Sequence, residues 1–445
     1  MSSFFLFSVI ILAVAAMVIA ISKFNLHPFI VLVVISILVG LVCGIEPVKV
    51  INTIKSGFGS ILSNIGIVIL CGTIIGTILE KTGAALTMAN SILKIVGKKR
   101  SVLTIGAMGY VTGIPVFCDS GFVVLSPISR ALAEQSNTSL AVMATALSGG
   151  LYATHCLVPP TPGPIAMCGT LNADLGLTIM IGLLVSIPAV AVSILYAKKV
   201  SSKINIPANS ECSLEELKEK YGRLPGALHS FSPILLPIVL IGFSSIAAFP
   251  SLPFGKGTIY NVLTFVGNPV VALILGVFLA MTLIPKSEKE NSLKWVSKGV
   301  TDSASIIAIT GAGGSFGAIL QLLPISKSTT GLLASGLGVV IPFVIAMILK
   351  LAMGASTVAM ITTSSMMAPL LSNMGFTSPI GKVLVVLAIG AGSMVASHAN
   401  DSYFWVVSQF SDMKTDEAYR CQTGMTAVMG ISVIIILFII SLFIH

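Results

Sequence analysis

The sequence predicts an all-α polytopic membrane protein made of two inverted-topology repeats, each with about five spans and one re-entrant hairpin. Three observations predict it. Of 445 residues, 55% are hydrophobic and only 9% are charged, whereas a soluble domain carries roughly 25% charged residues. Apolar runs recur along the whole chain, each long enough to cross ~30 Å of hydrocarbon as a helix. Four short stretches rich in Gly, Pro and polar residues interrupt these runs and pair between the two halves. The 41 glycines and 21 prolines follow no short period, which excludes a fibrous protein, and the hydrophobicity excludes a disordered one.

Windows of about 19 residues place full spans at 4–22, 28–45, 57–79, 139–157, 175–197, 232–250, 260–284, 299–322, 381–397 and 422–444. Two further apolar regions, 101–133 and 343–375, are interrupted and read as a re-entrant hairpin or as two short spans each. Either choice returns the chain to the side it came from. The first run has no basic residue before it and Lys23 after it. That charge order is opposite to a secretory leader's and reads as a first span with its N-terminus outside.

Threading from there puts loops 23–27, 80–100, 134–138, 198–231, 285–298 and 398–421 in the cytoplasm, with both termini outside. With Arg130 counted inside, all 25 Lys and Arg fall on the cytoplasmic side except Lys49, Lys55, Lys256, Lys327, Lys350 and Lys382. The net charge of +9 is explained by this bias, and no nucleic-acid partner is implied. The seven cysteines include no C-x-x-C pair and read as small packing residues rather than a disulfide or metal framework.

The longest loop has mixed charge and a capping-box-like Ser213-x-x-Glu216 start. It reads as a cytoplasmic linker, 201–231, between a first repeat at 1–200 and a second at 232–445. Gly72 and Gly76 have counterparts in Gly313 and Gly317, Pro127 in Pro369, and the Thr154-His155 step in Ser397-His398. An odd number of spans per half inserts the second half upside down, an arrangement typical of secondary transporters.

The four interruptions are 112–121 (TGIPVFCDSG), 154–164 (THCLVPPTPGP), 354–357 (GAST) and 397–402 (SHANDS). Broken helices persist in lipid only where they line a protein cavity, and half-helix ends are ready-made ion sites. Asp119, the carboxylate of the first interrupted region, reads as a proton-coupling group or, with Ser120, an ion ligand; the alternative is a helix cap near a water-facing end. Lys350 reads as a point charge for a substrate carboxylate, or as a snorkelling lysine.

His155 and His398 sit at repeat-related breaks, in a proton pathway or as packed polar residues. Asn400 and Asp401 bind substrate or cap the break. Thr154, Ser356 and Thr357 offer hydroxyls to a carboxylate or polyol, or bond back to helix carbonyls. The glycines at 311–317 have Phe316 where a dinucleotide loop needs its third glycine, so they read as helix packing. Pro28, Pro47 and Pro188 read as helix starts or kinks.

Together these motifs resemble the gluconate permease family, the gluconate:proton symporters of the ion-transporter superfamily that also include D-serine permeases. The resemblance covers essentially the whole chain and is carried by 113–122, 153–164, 354–359 and 397–402. It implies inward symport of a small sugar or hydroxy acid with protons in a bacterial inner membrane, without a cofactor. It also implies a homodimer and elevator-like movement of a substrate-carrying domain. By carry-over, Asp119 falls at an acidic position of the family's first hairpin motif.

The chain departs from the family with Thr161 in place of a histidine. It departs again with Lys350, Met353, Gly354 and Ala355 in place of an arginine followed by Gln-Gly-Ser. Thr161 joins the expected substrate contacts, and the departures bear on which acid is carried. Two rival substrates are D-serine and glycerate. A channel would need a continuous polar lining, and a membrane-embedded hydrolase would need paired catalytic groups that the sequence does not supply.

Overall fold

Prolines open several of the helices. Pro28, Pro47, Pro162, Pro269 and Pro379 each occupy a first-turn position, where the missing N–H would have had no helical partner. The structure, a computed structural model, describes residues 3–22, 24, 26–97, 100–208, 224–247, 255, 257–323, 338–372, 374–398 and 401–443. The helices begin with α1 (Ser3–Ser22), α2 (Pro28–Val42), α3 (Pro47–Lys81), α4 (Ala84–Val96), α5 (Ser101–Thr112), α6 (Cys118–Gln135), α7 (Leu140–Leu157), α8 (Pro162–Leu171) and α9 (Leu175–Lys199). They continue with α10 (Ala227–Ala247), α11 (Thr258–Val266), α12 (Pro269–Met281), α13 (Ser292–Gln321), α14 (Val340–Met353), α15 (Ser356–Met367), α16 (Pro379–Met394), α17 (Ser402–Phe410) and α18 (Gly424–Ser441).

Each expected span is found as helix, though not always as one helix. The span at 260–284 is α11 and α12, bent by 59° at a short break, and α3 bends by 47° between Ser63 and Gly66. The regions 101–133 and 343–375 are both helix–break–helix units, α5–α6 and α14–α15. Among the described residues, five helices are long and apolar enough to cross a membrane, or up to seven if each bent pair is one span. The protein is therefore all-helical and multi-pass.

Three elements correct the sequence expectation, the first being α4, which lies in the expected loop 80–100 and buries Leu86, Met88 and Ala89. Residues 398–421 are not simply a loop: α17 lies within them and buries Tyr403, Phe404 and Val407. Helix α8, absent from the expected spans, continues α7 beyond its break, and most of its residues are buried. Helices α8 and α17 are about ten residues long, too short for a window sized to a full span. Of the expected linker, 209–223 lie outside the described residues, and from Ala227 its end already belongs to α10.

Lipid is as apolar as leucine, so membrane helices associate through close packing rather than through escape from water. Helices α3 and α13 show how. A Cβ placed on Gly57 would stand 2.6 Å from the Gly314 carbonyl oxygen, and one on Gly314 would stand 2.6 Å from that of Gly57. The two backbones therefore touch, and Ser315 Oγ donates to the Ile54 carbonyl across the contact at 2.9 Å. The glycines at 311–317 are a packing surface, as expected.

The buried apolar residues form two main cores. One gathers α4 to α9 with α14 and α16 to α18, through residues such as Phe122, Leu151, Leu387 and Met425. The other gathers α1 to α3 with α12 and α13, through Met17, Ile69, Leu273 and Phe316. Helices α8 and α15 contribute to both, Met167 and Met360 to the first, Ile165 and Ile361 to the second. Two of the breaks, at Pro115 and Pro160, lie against α3 of the second core.

Candidate functional site

Each interruption has the same local form: a helix ends, a short break follows, and a new helix begins. Residues 113–117 separate α5 from α6, 158–161 separate α7 from α8, 354–355 separate α14 from α15, and 395–401 separate α16 from α17. The new helices start at Cys118, Pro162, Ser356 and Ser402, so each break presents a helix N-terminus with its partial positive charge.

These N-termini meet in pairs. Ser402 Oγ, in the first turn of α17, donates to Asp119 Oδ1, in the first turn of α6, at 3.4 Å. A Cβ on Gly163 of α8 would press on Met360 and reach within 3.9 Å of the Thr357 Cα of α15. All four ends adjoin the segment Tyr152 to His155 of α7. The Phe117 ring lies 6.2 Å from the His155 ring, Ser356 lies beside the Tyr152 hydroxyl, and Thr161 Oγ1 donates to the His155 carbonyl at 3.0 Å. The Tyr403 ring stands 5.2 Å from that of Tyr152.

At the centre is a buried ion pair. Lys350 Nζ lies 2.6 Å from Asp401 Oδ2, with side-chain exposures of 0% and 6%. The ammonium also donates to the Gly354 carbonyl and stands 5.8 Å from the Tyr152 ring centroid. Asp401 receives a hydrogen bond from Ser397 Oγ at 2.5 Å and caps α17 by accepting from the Tyr403 amide at 3.1 Å. The break is anchored behind by α18: the Ser397 amide donates to Thr426 Oγ1 at 2.9 Å, and Thr423 Oγ1 donates to the Ser397 carbonyl at 2.5 Å.

Helix α3 supports two of the breaks from outside. A Cβ on Gly76 would stand 2.6 Å from the Pro115 carbonyl oxygen, and one on Gly72 would stand 3.0 Å from that of Pro160. Only glycine lets the α5–α6 tip and the α7–α8 break lie this close to α3. A cleft of about 1010 Å³ opens elsewhere, lined by Lys49, Asn52 and Ser56 of α3, Thr170 at the end of α8 and Gly313 of α13. It lies at the far end of α8 from the break, about 15 Å away at 1.5 Å per residue.

Comparison with known proteins identifies what this architecture belongs to. Residues 5–443 match the family described as GntP family permease. The chain belongs to the GntP permease family. It is 34% identical over 421 residues to an uncharacterized permease of Haemophilus influenzae, covering 90% of this chain and 84% of that one. It is 33% identical over 435 residues to a gluconate permease of Zymomonas mobilis, covering 96% and 95%. The D-serine transporter DsdX of Escherichia coli K12 is 30% identical over 448 residues, covering 99% of each. The fold is shared with the YdaH transporter of Alcanivorax borkumensis at a TM-score of 0.67 and 13% identity, over 93% of this chain and 98% of that one. As a GntP family permease, the protein is a transporter and not an enzyme.

The permease brings most of the sequence-derived candidates together and sorts them by what they touch. Asp119 and Ser120 are half-buried at the α6 start, and among the described residues no Lys or Arg pairs with Asp119. Lys350 is tied to Asp401 rather than snorkelling. Thr161 spends its hydroxyl on the carbonyls of His155 and Val158, and Thr154 bonds back loosely to Gly150 and Leu151 at 3.4 and 3.3 Å.

The two histidines differ. His155 is buried, stacked on Tyr152 at 6.3 Å, with Nδ1 lacking a partner; His398 is half-buried, with Nε2 3.0 Å from the Leu351 carbonyl. Ser356 is buried and Thr357 half-buried at the α15 start. Asn400 lies outside the described residues. Tyr152, Tyr403 and Ser397 were not among the candidates. Their signal was proximity to the breaks, with Tyr152 three residues before His155 in a helix that is buried along its whole length.

Proposed function

We propose that the permease imports a small hydroxylated monocarboxylate of the gluconate type together with protons. The observation that carries this reading is the meeting of helix N-termini around one buried ammonium, Lys350, with an unpaired carboxylate, Asp119, at an adjoining tip. Amide donors and an ammonium suit a carboxylate substrate. Hydroxyls on Ser120, Ser356 and Thr357 suit its polyol chain, with Thr154, Thr161, His155, His398 and Asn400 nearby in the sequence pattern. Asp119, near the breaks and without a cation, takes the proton that lets the loaded carrier cross with less uncompensated charge.

In this reading the α5–α6 and α14–α15 units are re-entrant hairpins of two inverted repeats. The body holding the breaks moves against the α1–α3 and α12–α13 body in a homodimer, in the bacterial inner membrane with both termini outside. D-serine and glycerate are the competing substrates, since the gluconate and D-serine relatives are similar to this chain to nearly the same degree.

The test is uptake of labelled gluconate into proteoliposomes with an imposed pH gradient and no sodium, with D-serine and glycerate as unlabelled competitors. Accumulation that an uncoupler collapses, and that D-serine competes poorly, is the expected result. No gluconate uptake moves the substrate to another small hydroxy or amino acid, and uptake driven only by sodium removes the proton.

A further inference from the structure

The ammonium that suits a substrate carboxylate is already occupied. Lysine has three N–H donors. Here one goes to Asp401 Oδ2, one goes to the Gly354 carbonyl, and the remaining face of the ammonium looks toward the Tyr152 ring. With the side chain fully buried, the ammonium already has its counter-ion before any anion arrives. We propose that Asp401 is an internal stand-in for the substrate carboxylate: it neutralises Lys350 in the empty site and takes up a proton when an anionic substrate displaces it. This rests on the reading of the site as one for a monocarboxylate, and it adds a second proton-carrying group to Asp119.

The charge count explains the exchange. In the empty site one ammonium faces one carboxylate. A substrate carboxylate arriving at Lys350 would put two carboxylates on one ammonium in a space closed to water, and like charges sharing a site retain a proton between them. Once Asp401 is protonated, the site again holds one positive and one negative charge. The proton comes from the water on the loading side and leaves with the substrate on the other side, so this pair moves one proton per anion. Protonated Asp401 keeps a place in the break, because Ser397 and the Tyr403 amide still hold it.

The other ionisable groups around Asp401 do not replace it in this role. They are Cys118 and Asp119 on α6, Tyr152, His155 and Cys156 on α7, Tyr403 on its own helix, and His398 three residues before it. Among the described residues only Asp401 forms an ion pair with Lys350.

The experiment has two arms on the purified, full-length protein. Without substrate, difference infrared spectroscopy at neutral pH is recorded for wild type, K350Q and K350Q/D401N. Removing the ammonium imitates its capture by substrate, so K350Q should gain a protonated-carboxyl band that K350Q/D401N lacks. No such band in K350Q overturns the proposal. In the second arm, binding of gluconate, D-glycerate and D-serine is measured against pH for wild type, D119N and D401N.

The wild-type dissociation constant should rise on the alkaline side by about tenfold per pH unit for each proton taken up with the substrate. D401N should lower that slope by one factor of ten, and D119N should keep the share that belongs to Asp401. A D401N slope equal to that of wild type overturns the proposal, and because Asn is nearly isosteric with Asp this arm decides if K350Q does not fold. If the infrared band appears but none of the three acids binds wild type, Asp401 stands as the proton site and the monocarboxylate reading fails.

Discussion

Lys350 and Asp401 are 51 residues apart in the sequence and 2.6 Å apart in the fold. The contact joins the end of α14, just before its break, to the cap of α17, the last residue of another. Two interruptions that each look like local defects are thereby held in one place by a single pair of charges.

Removing one member of such a pair strands the other. K350M should destabilise the permease by about 3–5 kcal/mol, and K350M/D401L should recover most of that loss. Thermal unfolding in detergent measures both. A double variant as unstable as K350M would mean that the ammonium's contacts with Gly354 and Tyr152, not the ion pair, hold the two breaks together.

Asp119 stands at a helix start with Ser402 as its polar neighbour across the tip. D119N should abolish gradient-driven accumulation while leaving exchange of labelled for unlabelled substrate at a sizeable fraction of wild type. Accumulation at the wild-type level in D119N proteoliposomes would remove Asp119 from the coupling step.

Gly76 offers a steric test. Its Cβ position is 2.6 Å from a backbone oxygen, that of Pro115, which cannot swing aside as a side-chain end would. G76V should cost about 1–3 kcal/mol by overpacking and lower the transport rate. On the same helix Gly59 has nothing within 4 Å of its Cβ position, so G59A should leave both unchanged or raise stability by up to about 1 kcal/mol through helix propensity. Unfolding temperatures and initial uptake rates of the two variants make the comparison.

Asp174 caps α9 by accepting from the Leu177 amide at 2.7 Å, and the same oxygen accepts from Ser245 of α10 at 2.9 Å. D174A should cost about 0.5–2 kcal/mol, while D174N, which keeps an acceptor, should cost less. Equal losses would show that the negative charge rather than the cap geometry matters.

Much of this was legible in the sequence for a physical reason. Gly, Pro and polar residues inside an apolar run are expensive in lipid, so 112–121, 154–164, 354–357 and 397–402 announced the breaks. Lys350 and Asp401 were both named from their own surroundings, but their pairing was not visible, because nothing in a linear string says which buried charge meets which. The short helices α8 and α17 escaped because hydropathy detects length, and they are half as long as a span. Thr161 stands where the family has a histidine; its hydroxyl donates to the carbonyl end of α7, a contact across a break that no spacing rule gives.

The cleft beside α8 divides that helix into a wet end and a dry one. Its wall of Lys49, Asn52 and Ser56 is polar, and a cavity of that size and polarity holds water. Solvent therefore wets the far end of α8, while the break at its near end stays packed against Gly72 of α3.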